Sequence, residues 1–542
     1  MKPISITKIL ILGLLLVGGS CTKLDEKALL YDTIISDNFY KTDPELASAV
    51  GAAYSPLTGF GGSGSIFPLN EVTTDEIVVP QRGADWGDGG HWVRLKTHTY
   101  NAQDPIPNAT WNMCFSGVTT CNKLLLQLSK STSVTAPTYI SELKALRAIY
   151  YYWLLDMFGN VPIVTDFANT APPANNTRKE VYDFVEKELL DNIAGLPVSG
   201  PEDGPLYGRV TRYVVYAVLA KLYLNAEVYG AGAQWDKSIA ACDSIINSGK
   251  YKLAVNYADN FVKNNTGSSE FIWAIPYDHV FNQGFNLDMM TLNNSNSATY
   301  SISEQPWNGF ATVQEFYQSY IDPAQNPGPQ GTVVGLDPKG TPVTGTLDNR
   351  LSNFLVGPQY AADGSRVSDG GADATDPDGP PVTLTPYINE LQPSAWRQSG
   401  ARIAKWQFYQ GMTRNMDNDW AIFRYADILL VEAEATARKN NNWNDPITLA
   451  LVNQIRTEHG GVDPFPTLTA DLFLAERGRE MFAETFRRQD LIRFGSYNKA
   501  WRFHPADPVD NIGPNGSNHL NIFPIPETQL NANQNLKQNP GY

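Results

Sequence analysis

The strongest helical pattern in this chain of 542 residues is the stretch TRYVVYAVLAKLYLNAEVYGAGAQWDKSIAACDSIINS, residues 211–248. Apolar residues recur every three or four positions over 211–229 and again over 235–248, which is the spacing of one helical face. Gly230 and Gly232 lie in the loop between them. The stretch therefore predicts a helix pair, in which small residues allow a neighbouring helix to approach closely: Ala217, Ala220 and Ala226.

A similar unit is found near the C-terminus. Residues 420–438 have a helical pattern, a loop follows, and Asp445 and Pro446 form the N-cap and first position of a second helix. Trp235 and Trp443 occupy corresponding places at the start of the second helix of each pair. Paired amphipathic helices of this kind resemble tetratricopeptide units, although the spacing has no strict period. We predict a mostly α fold, an irregular tetratricopeptide-like helical-repeat scaffold in the form of an alpha-alpha superhelix.

Long irregular segments separate the helices. Further helical patterns cover 111–127 and 140–158, and a capping box at Thr177 and Glu180 begins another helix. By contrast, 59–108 and 286–402 are rich in Gly, Pro, Asn and Asp. Loops of this length in a folded domain are usually functional or disordered. We expect ordered loops that form a large loop-rich ligand-binding face on the helical scaffold.

The N-terminus has the features of an export signal. Lys2 and Lys8 precede a short apolar run, which is followed by small residues and then by Cys21. This order is typical of a secretory leader, and the run is too short to span a bilayer. We predict a lipoprotein signal peptide at 1–20, lipidation of Cys21, a lipidated tether at 21–27 and one mature domain at 28–542. An incidental cysteine beside an ordinary signal peptide is the alternative.

The net charge and the spacing of the cysteines argue against a nucleic-acid partner and against a disulfide bond. The net charge of −15 argues against nucleic acid, because binding phosphates requires a clustered basic surface. Cys114 and Cys121 are two helical turns apart, which exceeds disulfide reach. We expect these thiols and that of Cys242 to be buried and free.

Several stretches, read in order, resemble the SusD/RagB family of outer-membrane nutrient-uptake lipoproteins of Bacteroidetes. They span nearly the whole mature chain, with an N-terminal part at about 28–280 and a C-terminal part at about 286–542. The matching stretches are DEIVVPQRGADW (75–86), DGGHW (88–92), FGNVP (158–162), GRVT (208–211), LAKLYLNA (219–226), PWNGF (306–310), RYADILL (424–430), RRQDLIRFG (487–495), FPIP (523–526) and QNPGY (538–542).

The resemblance implies a surface-exposed, lipid-anchored protein of the outer membrane that is not an enzyme. Such a protein captures oligosaccharide and delivers it to a SusC-like TonB-dependent transporter. Two alternatives come from other classes of protein. One is a helical-repeat lipoprotein that binds a protein or peptide, and the other is a lipid-anchored glycoside hydrolase that uses two carboxylates on the loop face.

Sugar binding requires flat aromatic faces together with planar polar groups, and two loops contain this mixture. For each tryptophan in these loops, the alternative is a structural role, in which the side chain only attaches the loop to the scaffold. The predicted ligand-binding residues are Arg82, Asp85, Trp86, Asp88, Trp92, Trp307 and Asn308.

Neither catalysis nor a metal site is predicted. The charged residues of 476–493 recur at spacings of three and four with opposite signs, which favours salt-bridged helix packing over catalysis. The histidines show no zinc-binding spacing. We expect no cofactor. A structural calcium ion, which some members of the similar family hold, is the alternative for one loop, with Asp369, Asp373, Asp376 and Asp378 as its acidic residues.

Overall fold

The computed structural model describes residues 40–542 apart from 203, 329–331, 337–341, 372–378 and 511–517. The predicted signal peptide, Cys21 and the tether lie outside the described residues, as do Asp373, Asp376 and Asp378.

Helices of very different length make up most of the regular structure. The longest run through the scaffold, whereas the shortest lie within the loops. They are α1 (Asp43–Tyr54), α2 (Ile66–Glu71), α3 (His91–Lys96), α4 (Pro105–Leu128), α5 (Ala136–Met157), α6 (Arg178–Asn192), α7 (Arg212–Leu224), α8 (Trp235–Ile246), α9 (Leu287–Thr291), α10 (Ser297–Tyr300), α11 (Gln314–Gln318), α12 (Tyr425–Lys439), α13 (Pro446–Ile455), α14 (Ala470–Met481), α15 (Arg487–Arg493) and α16 (Glu527–Ala532).

The strands form small antiparallel two-stranded ribbons. The pairs are β1 with β3, β2 with β10, β4 with β5, β6 with β9, and β7 with β8. Their bounds are β1 (Ile77–Val78), β2 (Phe271–Ile275), β3 (Ala311–Thr312), β4 (Thr332–Leu336), β5 (Pro342–Gly345), β6 (Phe354–Leu355), β7 (Gly357–Pro358), β8 (Thr383–Leu384), β9 (Arg402–Ile403) and β10 (Trp420–Arg424).

The scaffold is a ladder of paired helices. Helix α4 packs on α5, and α5 packs on α6; α7 packs on α8, α8 on α12, and α12 on α13. The two sequence-predicted helix pairs are therefore neighbours in space, with the C-terminal pair continuing the ladder beyond α8. This arrangement confirms the prediction of a mostly helical, tetratricopeptide-like scaffold.

Two predicted helix ends are confirmed in atomic detail. The Thr177 amide donates to the Glu180 carboxylate at 2.7 Å, and the Thr177 hydroxyl oxygen accepts from the Glu180 amide at 3.3 Å. At the start of α13 the Asp445 carboxylate accepts from the Ile447 amide at 2.9 Å. Each side chain satisfies an amide that has no partner within its helix.

The prediction of a helix over 420–438 was wrong at its start. Trp420–Arg424 is the fully buried strand β10, paired with β2, and the helix begins only at Tyr425. A continuous run of apolar residues does not distinguish a buried strand from a helix. Residues 420–424 form a strand because they pair with Phe271–Ile275, about 150 residues earlier in the chain.

Helix α5 runs through the centre of the core. Every residue from Ala145 to Met157 is buried. Helix α4 approaches it closely at Gly117, where an added Cβ would lie 2.3 Å from the ring of Tyr150. Glycine is required at this crossing because no larger residue fits between the helices.

The charged residues of 476–493 pair mainly across the core and not along one helix. Arg477 bridges Asp427 and Asp490, each at 2.7 Å, and Arg424 contacts Glu480 at 2.7 Å. All five side chains are buried. The expected structural role fits these contacts, but the partners come from α12, α14, α15 and β10. Removing one partner from such a pair is strongly destabilising, because it leaves a buried charge uncompensated.

The described cysteines are free and buried, as expected: Cys114, Cys121 and Cys242. Burial raises the pKa of each thiol, which keeps it neutral and unreactive.

Candidate functional site

Two loops meet at the loop-rich face and bring the predicted tryptophans together. The first loop leads from β1 to α3 and contains Trp86, and the second precedes β3 and contains Trp307. The Trp86 indole N–H donates to the Trp307 carbonyl oxygen at 2.6 Å, and the ring centroids are 6.4 Å apart. Both rings are half-buried, so each keeps part of its surface open to solvent.

Trp92 supports this pair from below. It lies in the first turn of α3 and is only 3 % exposed. Its ring contacts Trp86 edge-on at 5.5 Å and Phe310 at 5.3 Å. The Trp92 N–H donates to the Asp88 carboxylate at 2.8 Å. Trp92 thus fixes both Trp86 and Asp88, and this edge-to-face geometry stabilises aromatic pairs.

The backbone of both loops is strained at the site. Trp86 has φ +58° and Asn308 has φ +55°, both in the left-handed region that non-glycine residues rarely adopt. Asp88 has φ +36°. Residues persist in such conformations only where surrounding contacts hold them, and they cluster at binding sites.

A groove of about 460 Å³ opens between the loops, and it contains five of the seven predicted residues. Its volume lies within the range of ordinary small-molecule sites. The predicted residues in its lining are Asp85, Trp86, Asp88, Trp92 and Trp307, and the others are Ser63, Asn294, Gln305 and Pro306.

Arg82 does not line this first groove but does line a second one beside it, and its side chain is almost wholly buried. It is 3 % exposed. Its guanidinium donates to the carbonyls of Asn308 (2.7 Å), Gly309 (2.8 Å) and Ser399 (2.8 Å). The side chain therefore holds the second loop and the 394–399 segment in place.

Asn308 is likewise absent from the lining of the first groove. It is fully buried, and its amide group donates to the Arg397 carbonyl at 3.0 Å and accepts from Arg402 at 2.8 Å. Both ends of the amide are used within the protein. Asn308 shapes the loop that presents Trp307 and offers no free group to a ligand.

Arg414 is a site residue that the sequence did not indicate. Its guanidinium carbon lies 5.2 Å from the centre of the Trp307 ring, and the side chain is exposed. A cation over an indole face is favourable, so Arg414 orients this ring. Gln305 could have been predicted as a groove residue because it lies two positions before Trp307. No sequence pattern indicated Ser63, Asn294 or Arg414.

A second groove of about 380 Å³ adjoins the first and shares Asp85 with it. It is lined by the half-buried Trp396 and by Arg397. Arg397 contacts Asp369 at 2.8 Å and Asp85 at 3.6 Å. Burial opposes ionisation of Asp369, but the hydrogen bonds from Arg397, the Gly371 amide and Asn293, together with the charge of Arg397, outweigh it, so the pKa of Asp369 is lowered. The two grooves therefore meet at Asp85.

A larger cavity of about 600 Å³ lies elsewhere, between the turn after α7 and the segment that follows α15. Its lining contains a single aromatic residue, Trp235. It lacks the clustered aromatic faces of the Trp86 and Trp307 groove, which is therefore the better candidate for ligand binding. Among the described residues, no helix combines the length and apolar character needed to cross a membrane.

Comparison with known proteins agrees with this architecture. Residues 269–542 match the model of the SusD family, and residues 71–224 match a model described as starch-binding associating with outer membrane. The chain is 25 % identical to the starch-binding protein SusD of Bacteroides thetaiotaomicron over 505 residues, covering 88 % of this chain and 85 % of the relative.

Two solved structures share the fold. One is a SusD superfamily protein of Parabacteroides distasonis, with a TM-score of 0.69 and 21 % identity over 92 % of this chain and all of that one. The other is surface glycan-binding protein A of Bacteroides thetaiotaomicron in complex with laminarihexaose, with a TM-score of 0.69 and 22 % identity over the same shares. At this identity the likeness shows the fold alone. Since one family model covers the C-terminal half and the helical ladder agrees with it, this chain belongs to the SusD family.

Proposed function

We propose that this protein binds an oligosaccharide in the groove between Trp86 and Trp307. The main observation in favour is that two half-buried indole rings lie side by side. The Trp86 N–H holds them in place by donating a 2.6 Å hydrogen bond to the Trp307 carbonyl oxygen. Aromatic faces bury the apolar faces of sugar rings, while the neighbouring Asp85 and Asp88 carboxylates accept hydrogen bonds from sugar hydroxyls. The relatives described as starch-binding and as bound to laminarihexaose support this ligand class.

The binding surface is arranged in advance of the ligand. Trp86 is held by Trp92 and by the Trp307 carbonyl, and Trp307 is held by Arg414. Rings that are already ordered lose little conformational entropy when a ligand binds. Affinity can then come from two stacking contacts and a few hydrogen bonds, which suits a ligand that must be released again.

We further propose that the protein delivers its ligand to a SusC-like TonB-dependent transporter and is anchored by lipid at Cys21, exposed on the outer-membrane surface. The family model described as associating with outer membrane supports this location. A tether of a few residues keeps the groove near a partner in the same membrane, where a high effective concentration compensates for modest affinity.

Calorimetry of the purified protein with a panel of oligosaccharides tests the binding site. We expect Trp86→Ala and Trp307→Ala each to lower affinity at least about fivefold, since one stacking contact contributes on the order of 1 kcal/mol or more. The matched control is Phe281→Ala, which removes a ring that is 92 % exposed and does not line the groove. Unchanged affinity in both tryptophan variants would refute the proposed site.

The same samples distinguish the rival functions. Chromatography of the oligosaccharides after incubation would reveal cleavage products if the protein were a glycoside hydrolase acting through Asp85 and Asp88. Co-purification with a transporter, in the absence of affinity for any glycan, would favour the peptide-binding or protein-binding alternative.

A further inference from the structure

Three side chains of metal-binding residue types, from two distant parts of the sequence, converge in the loop layer, and none of them lines either groove. His98 follows α3, whereas His504 and Asp507 lie after α15. The His98 Nδ1 is 2.8 Å from an Asp507 carboxylate oxygen, and the His504 Nε2 is 3.7 Å from the other oxygen. One ligand atom from each residue fits within 4.8 Å of the others. Two imidazoles and a carboxylate thus surround one point.

His504 has a buried imidazole whose two nitrogens are not both paired within the protein. The residue is 2 % exposed, and the Thr97 backbone can serve one ring nitrogen but leaves the other unpaired. Leaving a buried polar group unpaired is costly, so such a group in a native fold requires a partner. A neutral imidazole is the form that binds a metal ion.

His98 is held in the orientation of a metal ligand. Its Nε2 lies 2.8 Å from the Thr73 carbonyl, which places the proton on that nitrogen. The other nitrogen, Nδ1, lies 2.8 Å from the Asp507 carboxylate, so both ligand atoms can face the same ion. The Asn498 amide donates to Asp507 at 2.8 Å, a supporting contact of the kind that orients carboxylate ligands.

One cationic side chain and two aromatic rings lie close to the site. Lys96 is the cationic side chain that acts on His504, and its ammonium group is bound to the carbonyls of Thr74 and Ile77. The remaining neighbours are aromatic: the rings of Trp501 and Tyr497 lie 4.3 Å from His504 and 4.4 Å from His98.

We propose that His98, His504 and Asp507 bind one divalent transition-metal ion of the zinc class. The donor set of two nitrogens and one carboxylate favours zinc and its neighbours, whereas calcium and magnesium prefer oxygen ligands alone. Three protein ligands leave one position for water. The ion joins the segment after α3 to the segment after α15, about 400 residues apart in sequence, and so braces the loop layer.

The second cluster of metal-binding residue types provides a matched control. Asp278, His279 and Asp417 also lie within 4.8 Å of one another. There, however, His279 is exposed and donates to Asp417 at 2.6 Å, and Asp278 accepts from two backbone amides at 2.7 Å. These groups are satisfied without an ion, so His279→Gln should leave metal binding unchanged.

The test is calorimetric titration of zinc chloride into chelator-treated purified protein, with Co²⁺ absorption as a probe of nitrogen coordination. We expect one saturable site, and a midpoint of thermal unfolding that rises by about 3 °C when zinc is a hundredfold above its dissociation constant. His504→Gln and Asp507→Asn should each weaken binding at least tenfold. Circular dichroism in the presence of chelator identifies a variant that fails to fold. In that case the zinc affinity of the other variant tests the proposal.

Three outcomes would overturn the proposal. The first is that wild-type protein shows no saturable zinc site. The second is that binding is lost in His279→Gln but kept in His504→Gln. The third is that calcium binds in place of zinc and Co²⁺ gives no spectrum of nitrogen coordination. None of these outcomes bears on oligosaccharide affinity, which is measured separately.

Discussion

The indole nitrogen of Trp86 donates a 2.6 Å hydrogen bond to the backbone carbonyl of Trp307, which lies 221 positions further along the chain. This single contact joins the two loops that form the groove. It uses the only polar atom of the Trp86 side chain, so the accessible part of the ring is purely apolar. The position of Trp86 therefore depends on the backbone of the opposite loop.

Gly309→Ala is expected to displace Trp86. A Cβ at position 309 would lie 2.2 Å from the Trp86 ring, so the ring must move and its bond to Trp307 is lost. We predict a loss of oligosaccharide affinity similar to that of Trp86→Ala, measured by calorimetry. Gly64→Ala is the matched control, because a Cβ there meets no atom within 4 Å. Full affinity in Gly309→Ala would show that the ring position does not matter.

Arg82→Met is expected to destabilise the loop face. The substitution keeps side-chain length but leaves the carbonyls of Asn308, Gly309 and Ser399 without their donor. We predict that the free energy of unfolding falls by about 3 kcal/mol, measured with urea. Arg82→Lys should recover part of it. If Arg82 instead contacted the ligand, both variants would lose affinity at unchanged stability.

Trp396→Ala should weaken binding of long oligosaccharides only, if the ligand extends from the first groove past Asp85 into the second. Loss of one stacking contact predicts a decrease of roughly fivefold for long chains and none for short ones. Calorimetry with a series of chain lengths measures the difference. An equal loss at every length would mean that Trp396 only supports the fold.

Asp288→Asn should stabilise the protein at alkaline pH. Asp288 lies in α9, beside Met289 and Met290, whose carbonyls accept from Trp307 and Gly309. Neither of its carboxylate oxygens has a hydrogen-bond partner, and burial raises its pKa to about 8.

The sign of the effect follows from that raised pKa. The unfolded chain ionises Asp288 near pH 4, whereas the folded protein does so only near pH 8, so stability falls as pH rises between these values. The total is on the order of 5 kcal/mol, which Asp288→Asn should abolish. Urea unfolding from pH 5 to pH 9 measures it, with the exposed Asp259→Asn as control. Parallel pH profiles for wild type and Asp288→Asn would contradict the prediction.

Glu480→Gln should cost about 3–5 kcal/mol of stability, because it removes one partner from a buried charge network. The carboxylate contacts His459 at 2.8 Å, Arg424 at 2.7 Å and Arg350 at 3.2 Å. Burial opposes its ionisation, but these cations hold the pKa of Glu480 well below its usual range.

The pH dependence of Glu480 is opposite to that of Asp288. A lowered pKa contributes stability that is present above about pH 4.5 and is lost as pH falls toward the folded pKa. Acid unfolding of Glu480→Gln should therefore be less steep than that of wild type. Equal slopes, followed by circular dichroism, would show that Glu480 is not ionised in the native state.

Much of the scaffold and part of the site could be predicted from local sequence. Helical periodicity, the Thr177 and Asp445 caps and the glycine loops depend on residues within one or two turns, and the structure confirms them. Aromatic residues within glycine-rich loops likewise pointed to Trp86 and Trp307. Local patterns succeed here because helix formation and capping involve near neighbours.

The sequence by itself determined the helix pairs, the family and the two tryptophan loops. Only the tertiary structure decided that Arg82 and Asn308 are buried beneath the groove, that Trp420–Arg424 is a strand, and that His98 meets Asp507. The physical reason is the same in each case. Burial, strand pairing and the partner of a charged group depend on contacts between residues from about 150 to more than 400 positions apart, which no local pattern contains.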